Sequence, residues 1–292
     1  TVHFSILIFF SPKIFLFENV RGLLNARWDK KGVKGEIFEK VLSTFKNLNG
    51  YSVKYKLIYS KDYGVPQNRP RLFIIGIKQN LIRHKSDSED ALESGFLPDP
   101  VYLDPPPNVE DIFSDLIDPD FENGGETNSY PKKAVGKWQK EFRTKNGKVA
   151  KKGDLVTEHK YSKHSQKIIQ KFEAMLANGG KVPDEFKTKK FAQRKIEPRW
   201  NNQQPNITVT SLPDDLIHYE QARTPTVREW ARLQTFPDWY QFSGKRTTGG
   251  IRRAGNPRSK IFEREVPKYT QIGNAVPVKL AREIGLHLLK FL

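Results

Sequence analysis

With 292 residues, 37% of them hydrophobic and 12% aromatic, the chain has the composition of a folded protein with real cores, long enough for two domains. A formal net charge of +17 points to a polyanionic partner, nucleic acid first, because clustered Lys and Arg displace the counterions condensed on a phosphate backbone. The absence of cysteine excludes disulfides and cysteine-based zinc sites and suits a cytoplasmic setting.

The apolar opening from Phe4 to Phe17 is interrupted by Ser11-Pro12-Lys13 and lacks a positive leader and a cleavage site. It is shorter than the roughly 20 residues of a membrane span, so it reads as buried strand. The chain starts at Thr1 and its only methionine is Met175, so either something precedes it or it is a fragment. Ile14 to Val20 suits a strand buried on both faces of a parallel sheet. Ile37, Phe38, Val41, Leu42 and Phe45 recur at helical spacing after Gly35, with a stop at Asn47 to Gly50. Tyr51 to Tyr59 and Arg71 to Ile77 read as further strands. The expected fold is α/β, the last strands of a doubly wound, Rossmann-like sheet, with a smaller mixed domain beside it.

Residues 80 to 130 turn acidic and proline-rich, which places a domain boundary at 79/80. Residues 131 to 200 hold 20 Lys or Arg against 7 Asp or Glu, a net of +13. Trp138, Phe142, Phe172, Phe191 and Trp200 interleave with that charge, which favours a nucleic-acid patch over a merely solvated face. A helix is expected from His164 to about Asn178, ended by Gly179-Gly180. Another is expected over Thr226 to Gln234, and a last one from Pro277 with Leu280, Ala281, Ile284, Leu288 and Phe291 on one side. Gly244 to Ser259 reads as an exposed loop. The domains are then 1–79, 80–265 and a return at 266–292. The six histidines offer no metal spacing beyond His159 and His164, whose neighbours are basic, so no metal is expected.

Glu18 stands at the carboxyl end of a strand, where open α/β sheets place functional groups. Partly desolvated, it would have a raised pKa and could donate a proton. Arg69 and Arg71, at alternate positions before a strand, would present two guanidiniums to planar acceptors. Glu18-Asn19-Val20, Gln67-x-Arg69-x-Arg71, the block from Arg223 to Pro237 and Gly273-Asn274-Ala275-Val276-Pro277 come in the order and approximate spacing of the later motifs of another group of proteins. In these four blocks the chain resembles the DNA cytosine-5 methyltransferases, and its basic middle falls where that family keeps its variable target-recognition region.

The resemblance implies methyl transfer from S-adenosylmethionine to carbon 5 of a flipped cytosine in double-stranded DNA, in a restriction-modification setting. A thiolate adds at carbon 6, a carboxyl serves ring nitrogen 3, and a cation or donor holds the exocyclic oxygen. It implies Glu18 at nitrogen 3, Arg71 and Arg69 as cytosine- or backbone-positioning cations, and Gly273, Asn274, Ala275 and Val276 along the cofactor. Arg228, Glu229 and Arg232 would organise the recognition domain. Candidate DNA contacts are Arg194, Lys195, Arg199 and the 249–253 loop with Arg252 and Arg253. The family's glycine-rich cofactor loop and its Pro-Cys-Gln nucleophile loop are absent. This chain alone is therefore expected to be inactive, either one subunit of a split enzyme that needs a second polypeptide or a truncated product. Two other readings remain: an exocyclic-amine (N4-cytosine or N6-adenine) methyltransferase using Leu103-Asp104-Pro105-Pro106-Pro107, and a DNA-binding module without catalysis.

Overall fold

The computed structural model describes residues 2–101, 107–188, 193–199, 213–247 and 265–292. They fall into two compact units: residues 1–64, 69–103 and 279–292 form the first, and residues 65–68 and 104–278 the second. The division thus lies near 103 and 279, where 79 and 266 were expected. The 80–101 stretch stays with the first unit because its apolar residues Ala91, Phe96 and Leu97 are buried there. It also extends the sheet, with Tyr55 N–H donating to Glu89 O at 3.1 Å and Ala91 N–H to Tyr55 O at 3.0 Å.

In the first unit, α1 (Val2–Phe10) replaces the first half of the expected buried strand. Ser11, at φ 41°, donates its N–H to Leu7 O at 2.9 Å, and Pro12 cannot continue a helix, so one apolar run divides into a helix and a strand. Ile6, Ile8, Phe9 and Phe10 are exposed on α1. The strands are β1 (Ile14–Val20), β2 (Tyr51–Tyr59) and β3 (Pro70–Lys78), in the order β1-β3-β2. Both pairings are antiparallel, which corrects the expectation that β1 sits beside parallel neighbours. The cause is the short return from Tyr59 to Pro70, clamped where Ser60 N–H and Oγ–H each donate to Arg69 O at 2.9 Å. A parallel neighbour would need a longer crossover. β1 and β2 still run parallel to each other, joined across one face by α2 (Glu36–Lys46), and β3 fills the place between them.

The central strand is buried from Arg71 to Ile77, whereas β1 buries only Phe15 and exposes Leu16 and Val20. Phe38, Leu42 and Phe45 of α2 pack on Phe15, Tyr51, Val53, Leu72 and Ile74. Phe15 lies over Gly76, its partner in the register, and a Cβ added there would come within 2.0 Å of the ring. Glycine leaves the room in which Phe15 meets Phe45, with ring centroids 5.3 Å apart. The first unit closes with α8 (Val278–Leu288), which buries Leu280 and Ile284 from the stripe read in the sequence.

The second unit is built of short pieces: α3 (Val109–Phe113), α4 (Lys137–Arg143), the hairpin β4 (Thr144–Lys145) and β5 (Lys148–Val149), and α5 (Gln166–Ala177). A parallel pair β6 (Arg194–Lys195) and β7 (Leu216–Ile217), then α6 (Val227–Leu233) and α7 (Lys268–Asn274), follow. Every residue of α6 is buried. Thr226 and Glu229 cap its start reciprocally, Thr226 Oγ1 accepting from Glu229 N–H and Glu229 Oε2 accepting from Thr226 N–H. Among the described residues no helix is long and apolar enough to cross a membrane.

Candidate active site and nucleic-acid interface

At the end of β1, Glu18 stands opposite Phe73 and Val20 opposite Arg71, so Glu18 and Arg71 are diagonal neighbours on one face of the sheet. Glu18 Oε1 lies 2.6 Å from Arg71 Nε, with the arginine side chain 6% exposed and the carboxyl 24%. Burial raises the Glu18 pKa above the usual carboxylate value, and the Arg71 charge offsets part of that rise. Burial also lowers the guanidinium's pKa against the pull of Glu18. A carboxyl and a guanidinium thus share a half-wet strand end.

Arg69 and Arg71 are both buried, yet they are not equivalent: Arg71 belongs to β3, while Arg69 precedes it in the loop that Ser60 clamps. Gln67 of the same block belongs to the second unit. Its Nε2 donates to Leu233 O at 3.0 Å and to Gln234 Oε1 at 2.7 Å. Gln234 in turn donates to Ile272 O at 2.8 Å, and its carbonyl accepts Val278 N–H at 3.0 Å. Gln67 therefore fastens three separated motifs into one structural knot.

The Arg223 to Pro237 block carries a buried ionic lattice. Arg223 forks onto Glu229, while Arg232 donates to Asp238 at 2.9 and 2.6 Å, to Asp115 Oδ1 at 2.5 Å and to Ile112 O at 2.6 Å. Arg228 holds the carbonyls of Thr157, Pro237 and Tyr240 at 3.0, 3.2 and 2.9 Å. Arg143 reaches Asp115 Oδ2 at 2.8 Å and lies 3.6 Å from the centre of the Tyr130 ring, whose hydroxyl donates to Asp238 at 2.7 Å. Arg228, Glu229 and Arg232 thus organise their own unit. Their partners Asp115, Arg143, Tyr130 and Asp238, and the buried His159 and His218, escaped the sequence reading, since scattered polar residues carry no periodicity.

Gly273 and Asn274 form the last turn of α7, not an isolated loop, and Ala275 follows in extended conformation. Gly273 is buried, Ala275 and Val276 are half-buried, and the Asn274 side chain is exposed. Among the basic candidates, Arg194 and Lys195 line a cavity of about 200 Å³ with Gly179, Gly180, Lys181 and Glu197. Arg199 is exposed, 3.8 Å from Glu110. Arg252 and Arg253 lie outside the described residues, as do Phe191, Trp200 and most of the 103–107 stretch. Trp138, Phe142 and Phe172 are core residues, so these three of the five aromatics expected to interleave a nucleic-acid patch are not on the surface. Among the described residues no three His, Asp or Glu cluster as a metal site would require.

Residues 3–290 match the family described as C-5 cytosine-specific DNA methylase. The chain belongs to that family, whose methyl donor is S-adenosylmethionine. It is 31% identical to the Type II methyltransferase M.DdeI of Desulfomicrobium norvegicum, over 95% of this chain and 63% of that protein. It is 30% identical to the Type II methyltransferase M1.HphI of Haemophilus parahaemolyticus, over 96% of this chain and 57% of that protein. The chain thus spans about three fifths of the length of these relatives, each of which holds the matched region within a single protein. A solved structure described as a DNA modification methyltransferase encoded within a prophage (E. coli) superposes with a TM-score of 0.60 at 22% identity, over 99% of this chain and 71% of that one, a likeness of fold. The match runs almost end to end, so the segments between the four motifs belong to the family region as well.

Proposed function

We propose that the chain forms part of a DNA cytosine-5 methyltransferase of a restriction-modification system, supplying the groups that hold and polarise the flipped cytosine. The Glu18–Arg71 pair carries this reading. A carboxyl whose pKa burial raises can donate a proton to ring nitrogen 3, and a fixed guanidinium can donate to the exocyclic oxygen as negative charge gathers there. Arg69 serves as the second positioning cation. With nitrogen 3 protonated, the ring accepts addition at carbon 6, and electron density flows to carbon 5, which takes the methyl group. A solvent base then takes the carbon 5 proton, the bond from carbon 6 to sulfur breaks to release the thiolate, and nitrogen 3 returns its proton to the Glu18 carboxylate, restoring the ring.

The thiolate for carbon 6 has no source among the 292 residues, which hold no cysteine. On this reading it lies on polypeptide outside them, later motifs here and nucleophile there. By itself the chain is inactive. S-adenosylmethionine supplies an electrophilic methyl group. The Gly273 to Val276 segment, an exposed amide beside half-buried apolar residues, fits one wall of a site for a ligand with polar and apolar ends. Residues within 104–278 would include the target-recognition region, with Arg194, Lys195, Arg199, Arg252 and Arg253 as DNA contacts.

The test is methyl incorporation into DNA by the chain alone and by the chain coexpressed with a polypeptide bearing a Pro-Cys-Gln loop and a glycine-rich cofactor loop. 5-Methylcytosine is expected only in the second case. Methylation of an exocyclic amine, or 5-methylcytosine made by the chain alone, would overturn the assignment.

A further inference from the structure

Eight lysines lie between residues 132 and 152, all exposed, against a single acid, Glu141. The one arginine of the stretch, Arg143, is turned inward onto Asp115. At the centre, β4 and β5 are joined by Asn146 and Gly147, at φ 50° and 76°, the left-handed pair of a tight two-residue hairpin. Lys145 stands directly opposite Lys148 across that hairpin. Like charges so placed destabilise a strand pair. Two clefts meet here, of about 470 and 560 Å³, sharing Val149, Ala150 and Lys151. Lys133, Lys140 and Lys152 edge one, and Lys145 and Lys148 the other, beside a single carboxylate, Asp154, which accepts the Lys151 N–H at 2.7 Å.

We infer that this lysine hairpin, with the flank of α4, is a docking surface for the sugar-phosphate backbone of duplex DNA, gripping it without regard to sequence. The inference rests on the DNA methyltransferase reading above. A line of phosphates relieves the repulsion between Lys145 and Lys148 across the hairpin. The exposed charges are ammonium groups, point charges without the planar fork that reads base edges, so they position the duplex and carry no sequence information. This surface is separate in sequence from Arg194, Lys195 and Arg199.

The experiment compares the full chain with a Lys145→Gln/Lys148→Gln/Lys151→Gln/Lys152→Gln variant, binding two duplexes of unrelated sequence over a range of salt. Each lost phosphate contact lowers the salt slope by roughly 0.9, about 3.6 for all four, and both affinities should fall by a similar factor of at least about tenfold. The matching Lys→Arg variant should bind as the wild type does, and circular dichroism checks the fold of both. If a folded Gln variant keeps the affinity and slope of a wild type that binds DNA, the hairpin assignment fails and the methyltransferase reading stands. Loss on only one of the two sequences overturns sequence independence, and capture of an acidic protein with DNA binding unchanged assigns the surface to a protein partner. A wild-type chain that binds neither duplex overturns both.

Discussion

Arg223 and Glu229 meet through two parallel hydrogen bonds, Nη1 to Oε2 at 2.8 Å and Nη2 to Oε1 at 2.7 Å, with both side chains removed from solvent. Burial pushes the carboxyl pKa up, but the charge and bonds of Arg223 outweigh it and hold Glu229 far below the usual carboxylate range. Glu229→Gln keeps the shape and leaves a buried guanidinium without its counter-charge. The expected cost is about 3–5 kcal/mol in urea denaturation, since breaking a buried pair strands the other ion. A loss below about 1 kcal/mol would show that the pair contributes little.

His159 and His218 are fully buried, and burial lowers their pKa values to about 4 and about 3 from 6.5. His159 Nε2–H donates to Leu116 O at 2.8 Å, leaving Nδ1 to accept from Thr226 Oγ1 at 2.9 Å, and His218 Nδ1 accepts from the N–H groups of Glu220 and Gln221 at 3.1 and 3.2 Å. Below pH 6.5 the unfolded chain takes up protons that the folded one refuses. Stability should therefore be full above pH 6.5 and fall as pH drops toward 4, by about 1.4 kcal/mol per pH unit for each histidine. Glu229, depressed when folded, adds its own loss below its ordinary value of 4.5. Urea midpoints measured across this range should show the slope, and His159→Gln should flatten it; a flat wild-type profile would contradict buried neutral histidines.

Gly76→Ala puts a methyl group against the Phe15 ring in the middle of the sheet. The ring cannot swing away without disturbing Phe45 and Tyr51, so overpacking should cost about 1–3 kcal/mol. The double change Gly76→Ala with Phe15→Leu should recover part of that. Equal thermal midpoints for wild type and Gly76→Ala would mean that the close approach is not restrictive.

Glu18→Gln in the complemented enzyme removes the transferable proton and keeps a hydrogen-bond donor. Turnover should fall by about 10²–10⁴ while DNA affinity holds within a few-fold. Arg71→Lys retains a charge and loses the fork, so it should impair turnover as well. An unimpaired Glu18→Gln enzyme would remove Glu18 from the chemistry.

The sequence by itself determined the local elements whose apolar spacing is regular: α2, β2, β3, α5 and α6 lie within about two residues of their expected ranges, and α8 starts where expected but ends at Leu288, short of the terminus. It also determined the family, since the four motifs are short and contiguous. What it could not determine was direction and partnership. β3 lies antiparallel between β1 and β2 because the Ser60–Arg69 clamp reverses the chain, and a clamp of two hydrogen bonds to one carbonyl leaves no periodic trace. The apolar opening looked continuous, yet a positive φ at Ser11 and the following proline cut it in two. Trp138, Phe142 and Phe172 read as surface aromatics because charge surrounds them in sequence, but their rings bury while the lysine chains between them, Lys171 excepted, lie at least partly open to water. Asp115 finds Arg232 across 117 positions, and only the folded chain brings those charges together, where low dielectric makes their pairing decisive.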